Sequence, residues 1–141
     1  MPFRAARLHF AARRRFRRGR DQCALHLHTG RRLLNQRSDR LAALGFDCVQ
    51  VSVDGATPAT HAAVRPGGSF EAAVGAIRRL AARSLKPQLV FVPTRLNVHE
   101  IVSAFEMAAE LGCGAFVTGP LMRIGRAAAQ WEGIACTPEQ W

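Results

Sequence analysis

The chain has 141 residues, of which 48% are hydrophobic, and a formal net charge of +10 at pH 7. This length and composition suit one domain with a hydrophobic core and exclude a chain that is disordered throughout. No apolar run is long enough to span a bilayer and no signal-peptide core is visible, so the sequence predicts no membrane segment.

The excess positive charge lies in the first 40 residues. They hold twelve arginines against Asp21 and Asp39, whereas residues 41–141 hold eight basic and eight acidic residues. Residues 1–22 therefore form an arginine-rich arm, which we expect to be solvated and poorly ordered. Three alternatives stay open: an arm that binds nucleic acid or an acidic surface, a transit peptide, and a segment that is not a native part of the fold.

The four cysteines, Cys23, Cys48, Cys113 and Cys136, are too far apart for a zinc-ribbon or iron–sulfur spacing. We therefore predict no metal site and interpret them as reduced thiols of a cytoplasmic protein, with Cys48 and Cys113 buried in or beside strands.

The first predicted strand is 23–28, and its His26 and His28 share a face. Two histidines can chelate a metal, but a third ligand is missing, so packing or hydrogen bonding is the favoured interpretation. A short helix is predicted over 35–44, ending at Gly45. The second strand follows at 48–53, and a polar loop is predicted over 57–68.

The second half repeats this pattern. Ser69 caps a helix whose apolar residues recur at helical spacing, and the third strand is 88–93. Asn97 and Glu100 have the spacing of a helix start, and that helix runs to Leu111 with Phe105 on its inward face. The fourth strand is 115–118, and after Ala129 the chain is predicted to be loop-like. The order β-α-β-α-β-α-β predicts a parallel sheet with right-handed crossovers.

The second strand ends in Ser52-x-Asp54-Gly55. Ser52 and Asp54 are two residues apart and therefore share one face of the strand. Because chemistry in parallel α/β folds gathers at the carboxyl ends of strands, this end is the first candidate site. No glycine-rich phosphate loop follows any of the strands, so nucleotide binding of that kind is unsupported.

Four short segments, in this order and with these gaps, resemble a known family. They are His28-Thr29-Gly30-Arg31 with Leu33-Leu34, Gln50-Val51-Ser52-Val53-Asp54-Gly55, Thr60-His61 with Arg65 and Gly68-Ser69-Phe70, and Thr94-Arg95-x-Asn97 with the later Gly125-Arg126-Ala127. The set is similar to the middle of a radical S-adenosylmethionine (SAM) enzyme, in the SPASM-type branch that includes peptide maturases.

The resemblance implies a partial (β/α) TIM-barrel fragment of about four strands and three helices, over residues 23–129. It also implies SAM and a [4Fe-4S] cluster as cofactors, and hydrogen abstraction from a peptide or small-molecule substrate. The implied SAM-binding residues are Ser52, Asp54, Arg65 and Asn97. The implied residue on the substrate side is Thr29. Arg65 would pair with the SAM carboxylate, and Asn97 would contact ribose or adenine.

Each of these residues also has a structural interpretation. Asp54 before glycine can form a turn, and Arg65 can be a solvated loop cation. Asn97 can be a helix cap, and Ser52 can bond its hydroxyl to the backbone.

Two features of the family are missing from the sequence. The cluster motif C-x-x-x-C-x-x-C does not occur, and Gly-Gly-Glu-Pro does not precede the first strand. We therefore expect an internal fragment, inactive alone, whose tail 130–141 leads to a missing SPASM domain. No catalytic residue is assigned.

Two other functions remain in competition. The first is a scaffold without catalysis that binds nucleic acid through its basic arm, although the neutral charge of residues 41–141 argues against a nucleic-acid surface on the fold. The second is an unrelated (β/α) enzyme with a site at Ser52, Asp54 and His61.

Overall fold

The computed structural model of the chain describes residues 13–15, 22–27 and 48–140, with side chains from residue 49 onward. The predicted helix over 35–44 and the predicted site residue Thr29 lie outside the described residues. Of the arginine-rich arm, the strand Arg13–Arg15 and the single residue Gln22 are described.

The described strands form one five-stranded sheet whose order follows the order along the chain. The first strand is antiparallel to the second, and the remaining neighbours pair in parallel. The prediction of an α/β fold with a parallel sheet is confirmed. The strands are β1 (Arg13–Arg15), β2 (Gln22–Leu27), β3 (Cys48–Ser52), β4 (Pro87–Phe91) and β5 (Ala115–Thr118).

Helices connect β3 to β4 and β4 to β5, and two short helices follow β5. Their bounds are α1 (Pro58–Val64), α2 (Phe70–Ala81), α3 (Ile101–Glu110), α4 (Arg126–Ala129) and α5 (Trp131–Ile134), with 3-10 turns at Val98–Glu100 and Pro138–Gln140. The predicted cap of α2 is confirmed, because the Ser69 hydroxyl accepts a hydrogen bond from the Ala72 amide at 3.1 Å. Among the described residues, no helix is long and apolar enough to cross a membrane.

The core lies between β3, β4 and the inward faces of α2 and α3. Along β3 the buried valines alternate with polar residues, as expected for a strand with one face against helices. The opposite face carries Gln50, whose amide donates to the Gln88 side chain of β4 at 2.9 Å. The fully buried core residues are Val49, Val51, Val53, Ala73, Ala76, Ile77, Leu80, Leu89, Phe91 and Ala104.

Two sequence predictions about helices are wrong. The predicted polar loop 57–68 contains α1, which begins because Pro58 stands at its first position and the Thr57 hydroxyl caps it, accepting from the Thr60 amide at 3.2 Å. Phe105 does not face inward: it is 57% exposed. The small residues Ala104 and Ala108 occupy the buried stripe of α3 instead.

The tail after Ala129 was predicted to be loop-like, but the short helix α5 forms within it. This part of the chain folds back onto the loop after β4. The Arg95 amide donates to the Ile134 carbonyl at 2.9 Å, and its guanidinium donates to the Ala135 carbonyl at 3.3 Å.

Candidate functional site

A cavity of about 990 Å³ lies beside the carboxyl ends of β3 and β4. Asp54 after β3, Thr94 after β4 and the segment that contains α4 and α5 all contribute to its lining. Its volume is at the upper end of the roughly 300–1,000 Å³ that small-molecule sites occupy. The carboxyl edge of the sheet, predicted from the sequence as the candidate site, therefore carries a cavity large enough for a cofactor.

Asp54 and Arg65 form an ion pair at the wall of this cavity. Arg65 Nε donates to Asp54 Oδ2, and the side chains of Arg65 and Asp54 are 27% and 7% exposed. Arg65 reaches Asp54 because α1 returns the chain to the strand end within eleven residues. A guanidinium has five N–H donors, and Asp54 accepts only the one on Nε, so the donors of the two terminal nitrogens are not used by this ion pair.

His61 on α1 binds the backbone of Asp54. It is fully buried in α1, and its Nδ1 accepts a hydrogen bond from the Asp54 amide at 3.0 Å. Burial lowers the pKa of His61, and Arg65 lowers it further, against the opposite effect of the Asp54 and Glu71 charges. A neutral ring with an unprotonated Nδ1 fits this hydrogen bond, so His61 acts as a positioning residue for the Asp54 backbone.

Asn97 connects the ends of β3 and β4. It is fully buried, and its amide nitrogen donates to the Asp54 carbonyl at 3.0 Å and to the Val92 carbonyl at 3.1 Å. Its amide oxygen accepts from the Thr94 amide at 2.6 Å and from the Thr94 hydroxyl at 2.9 Å. Asn97 precedes the turn Val98–Glu100, as its spacing with Glu100 predicts, but its side chain makes no cap hydrogen bond, so the alternative interpretation of this side chain as a helix cap is wrong.

Glu100 is a site residue that the sequence analysis did not single out. Its carboxylate accepts from the Ala56 amide at 2.6 Å and from the hydroxyls of Thr60 at 2.7 Å and Thr57 at 3.3 Å. Burial would raise the pKa of Glu100, but these hydrogen bonds outweigh it and the pKa is lowered. Glu100 therefore holds the loop after β3 and the start of α1 as a carboxylate.

Gly55 lets α1 approach the end of β3. A Cβ atom at this position would lie 2.5 Å from the His61 amide nitrogen and 2.9 Å from Thr60. Only glycine fits such a contact with backbone atoms. Glycine at position 55 is therefore required for the packing of α1 against the strand end.

The part of the cavity lining that comes from residues 121–134 is basic and partly apolar. Arg123 and Arg126 line it with Leu121 and Trp131. The Arg123 guanidinium carbon lies 5.6 Å from the centroid of the Trp131 ring, within the range of a cation–π contact. The sequence contains no periodic signal for this side, because the residues belong to irregular chain and to two four-residue helices.

The structure places the predicted site residues at different depths. Asp54 and Arg65 line the cavity. Ser52 and Asn97 are not among its lining residues and are buried, Ser52 with 9% exposure. Thr29 lies outside the described residues. His61, named in the alternative enzyme site, contacts Asp54 only through the backbone amide.

The described residues do not fit an iron–sulfur cluster. No group of three His, Cys, Asp or Glu side chains among them could hold a metal ion. Cys113 and Cys136 are free and half-buried rather than fully buried, and burial raises the pKa of both thiols. Thiolate ligands for such a cluster are therefore not provided by this part of the chain. The Cys48 side chain lies outside the described part.

No protein-family model matches the chain. Similarity to individual proteins is clear. Over 112 residues, 79% of the chain, it is 34% identical to the mycofactocin maturase MftC of Mycobacterium tuberculosis. It is 28% identical over 97 residues to the pre-heme d1 synthase of Dinoroseobacter shibae, and 34% identical over 89 residues to the AdoMet-dependent heme synthase of Methanosarcina barkeri.

The chain spans only part of these relatives. The aligned region is 28% of the mycofactocin maturase, 24% of the pre-heme d1 synthase and 26% of the AdoMet-dependent heme synthase. The similarity therefore covers one region that the three proteins share with this chain.

Proposed function

This chain belongs to the radical SAM superfamily, as do its relatives, of which the mycofactocin maturase is SPASM-type, and we propose that its carboxyl-edge cavity binds SAM. The observation that carries the proposal is the Asp54–Arg65 ion pair at the wall of a cavity beside the strand ends. Ligands in parallel α/β folds bind at this edge of the sheet.

Arg65 is the residue that binds the SAM carboxylate. Asp54 accepts the hydrogen bond from its Nε, and this contact restricts the position of the guanidinium at the cavity wall. Two parallel N–H···O bonds from the two terminal nitrogens match the geometry of a carboxylate. The ion pair thus orders a side chain that would otherwise lose rotamer freedom on binding.

The remaining predicted residues have supporting roles in this proposal. Ser52, on the same face of β3 as Asp54, lies toward the amino-acid or ribose part of SAM. Asn97 is assigned to the ribose or adenine end, and since its amide already bonds four groups of the protein, it acts there through the backbone it positions. Thr29 is assigned to the substrate side.

SAM bound to a [4Fe-4S] cluster supplies a 5′-deoxyadenosyl radical that abstracts hydrogen from a substrate. The described residues do not fit that cluster, and the sequence has no C-x-x-x-C-x-x-C. We therefore propose that these 141 residues contribute SAM binding and do not cleave SAM by themselves. Cluster ligands and a SPASM domain would come from polypeptide beyond them.

The parallel sheet is proposed to be part of the wall of a (β/α) barrel. Strands β2 to β5 are adjacent in chain order and their crossovers are helical where described. Sequential order is typical of barrel walls, whereas doubly wound sheets reverse direction at a switch point.

A cytoplasmic location is proposed from the free thiols of Cys113 and Cys136.

The substrate is proposed to be a peptide or a small molecule. The names of the relatives support both classes, since one is a maturase and two are synthases of heme compounds. The alternative of a nucleic-acid-binding scaffold without catalysis is not favoured by these relatives.

Calorimetric titration of the full chain with SAM tests the proposal. We expect binding to the wild type, a loss of affinity of about tenfold or more in Arg65→Gln, and no change in Arg78→Gln, which removes an exposed charge on α2. Absence of SAM binding to a folded wild-type chain would overturn the proposal. Formation of 5′-deoxyadenosine after cluster reconstitution would overturn the proposed inactivity.

A further inference from the structure

Arg123 and Arg126 are the exposed cations of the cavity, and we call them the arginine rim. Neither guanidinium lies within ion-pair distance of a carboxylate among residues 49–140. This differs from Arg65, which also lines the cavity and whose charge is balanced by Asp54.

The charges that line the cavity are therefore unevenly distributed. Asp54 and Arg65 neutralise each other, and Glu132 is the only other acidic residue of the lining. The side that carries the arginine rim keeps an excess of positive charge. A concave site with uncompensated guanidinium groups attracts an anion more strongly than isolated surface arginines do.

The Trp131 ring contacts one of the two arginines of the rim. The Arg123 guanidinium carbon lies 5.6 Å from the centroid of this ring, and such a cation–π contact favours one arrangement of the side chain. Leu121 and Ile134 line the same side and add apolar surface. The combination suits an anionic group attached to an apolar or aromatic body.

We propose that Arg123, Arg126 and Trp131 form a second subsite, which binds the carboxylate or phosphate of a ligand that shares the cavity with SAM. That this ligand shares the cavity with SAM rests on the proposed function, whereas the binding of an anion by these three residues does not. In that setting the ligand would be the molecule that is modified, anchored by its anionic group. The arginine rim would then select acidic substrates over neutral ones.

Binding of small aromatic anions to the full chain tests this subsite. The probes are hippurate for a carboxylate, phenyl phosphate for a phosphate, and the methyl ester of hippuric acid as the neutral counterpart. We expect one or both anions to bind and the ester to bind at least about tenfold more weakly. Whichever anion binds more tightly identifies the chemistry of the group.

Two double variants with equal loss of charge separate the subsite from general electrostatics. Arg123→Gln with Arg126→Gln is expected to weaken anion binding by about tenfold or more, and Arg78→Gln with Lys86→Gln to leave it unchanged. Both members of the control pair are exposed and lie outside the cavity. Equal loss in both double variants, equal binding of the ester, or no anion binding would overturn the proposal.

A SAM titration of the same variants distinguishes this proposal from the proposed function. If the arginine rim is a separate subsite, SAM affinity stays unchanged when Arg123 and Arg126 are replaced. Loss of SAM binding in that variant would mean that the rim is part of the SAM site, and would overturn the second subsite. Anion binding by a chain that fails to bind SAM would sustain the subsite and refute the proposed function.

Discussion

The side-chain amide of Asn97 donates a hydrogen bond to the backbone carbonyl of Asp54, 43 residues earlier, at 3.0 Å. A second hydrogen bond from the same nitrogen reaches Val92 after β4, at 3.1 Å. One buried side chain therefore fixes the two neighbouring strand ends relative to each other. The position of the Asp54 carboxylate, and with it that of Arg65, depends on this contact.

Replacement of Asn97 by alanine is expected to destabilise the fold. The variant leaves the buried amide of Thr94 and the carbonyls of Asp54 and Val92 without their partner, at a cost of about 2–4 kcal/mol in the free energy of unfolding. Denaturant unfolding measures it. Gln130→Ala, at an exposed position, is the control and is expected to change stability by less than about 0.5 kcal/mol. Equal stability of the two variants would show that the Asn97 hydrogen bonds do not stabilise the fold.

The Glu100 carboxylate is expected to be needed at the start of α1. Glu100→Gln removes the charge that accepts hydrogen bonds from Ala56, Thr57 and Thr60, and we expect a loss of about 1–3 kcal/mol. Glu106→Gln removes an exposed charge from α3 and serves as the matched control. Thermal unfolding of both variants under the same conditions measures this loss of stability. If the control loses as much stability as Glu100→Gln, the proposed role of the Glu100 carboxylate is contradicted.

Gly55 is expected to tolerate no side chain. In Gly55→Ala the new methyl group would meet the backbone of His61 at 2.5 Å, so α1 must move and stability should fall by about 1–3 kcal/mol. Gly119→Ala has nothing within 4 Å of the added atom and is expected to be neutral. Near-native stability of Gly55→Ala in denaturant unfolding would contradict the close approach of α1 to Asp54.

The pH dependence of stability should report on His61. Burial holds the pKa of His61 below its ordinary value, so the unfolded chain takes up a proton first as the pH falls below about 6.5. The free energy of unfolding should therefore decrease with falling pH in that range and level off below the lowered pKa of the folded state. The Asp54, Arg65 and Glu71 charges act on the same ring.

Two asparagine variants isolate this titration. His61→Asn keeps an acceptor for the Asp54 amide but cannot titrate, so its unfolding free energy should vary less between pH 7 and the acidic limit. His99→Asn changes an exposed side chain on the turn before α3 and should keep the wild-type dependence. If the unfolding free energy depends on pH equally in the wild type, His61→Asn and His99→Asn, a group other than His61 causes the pH dependence.

The sequence predicted those features whose signals are local. The cap at Ser69 and the apolar stripe of α2 lie within consecutive residues, and both appear in the structure. The apolar run that ends in Ser52-x-Asp54 predicted a strand here, and β3 forms over Cys48–Ser52 with Val49 and Val51 buried. Helix α1 was missed because nearby proline and glycine residues are typical of loops, although Pro58 is at a position where a helix accepts it.

The rest of the site depends on distant contacts. Glu100 has the spacing of a capping acid, yet its carboxylate bonds to Ala56, 44 residues earlier. Arg123 and Trp131 lie in irregular chain and a four-residue helix, where periodicity gives no information. Only the folding of this segment toward the strand ends, through Arg95, brings these side chains to the cavity.

Hydrogen–deuterium exchange of the full chain with and without saturating SAM tests the central claim most directly, because it locates the bound molecule without changing a residue. Binding beside the Asp54–Arg65 pair predicts slower exchange in residues 54–65 and in the loop 92–97 after β4. Unchanged exchange in both segments, or protection confined to the outer side of α3, would contradict the assignment of this cavity to SAM.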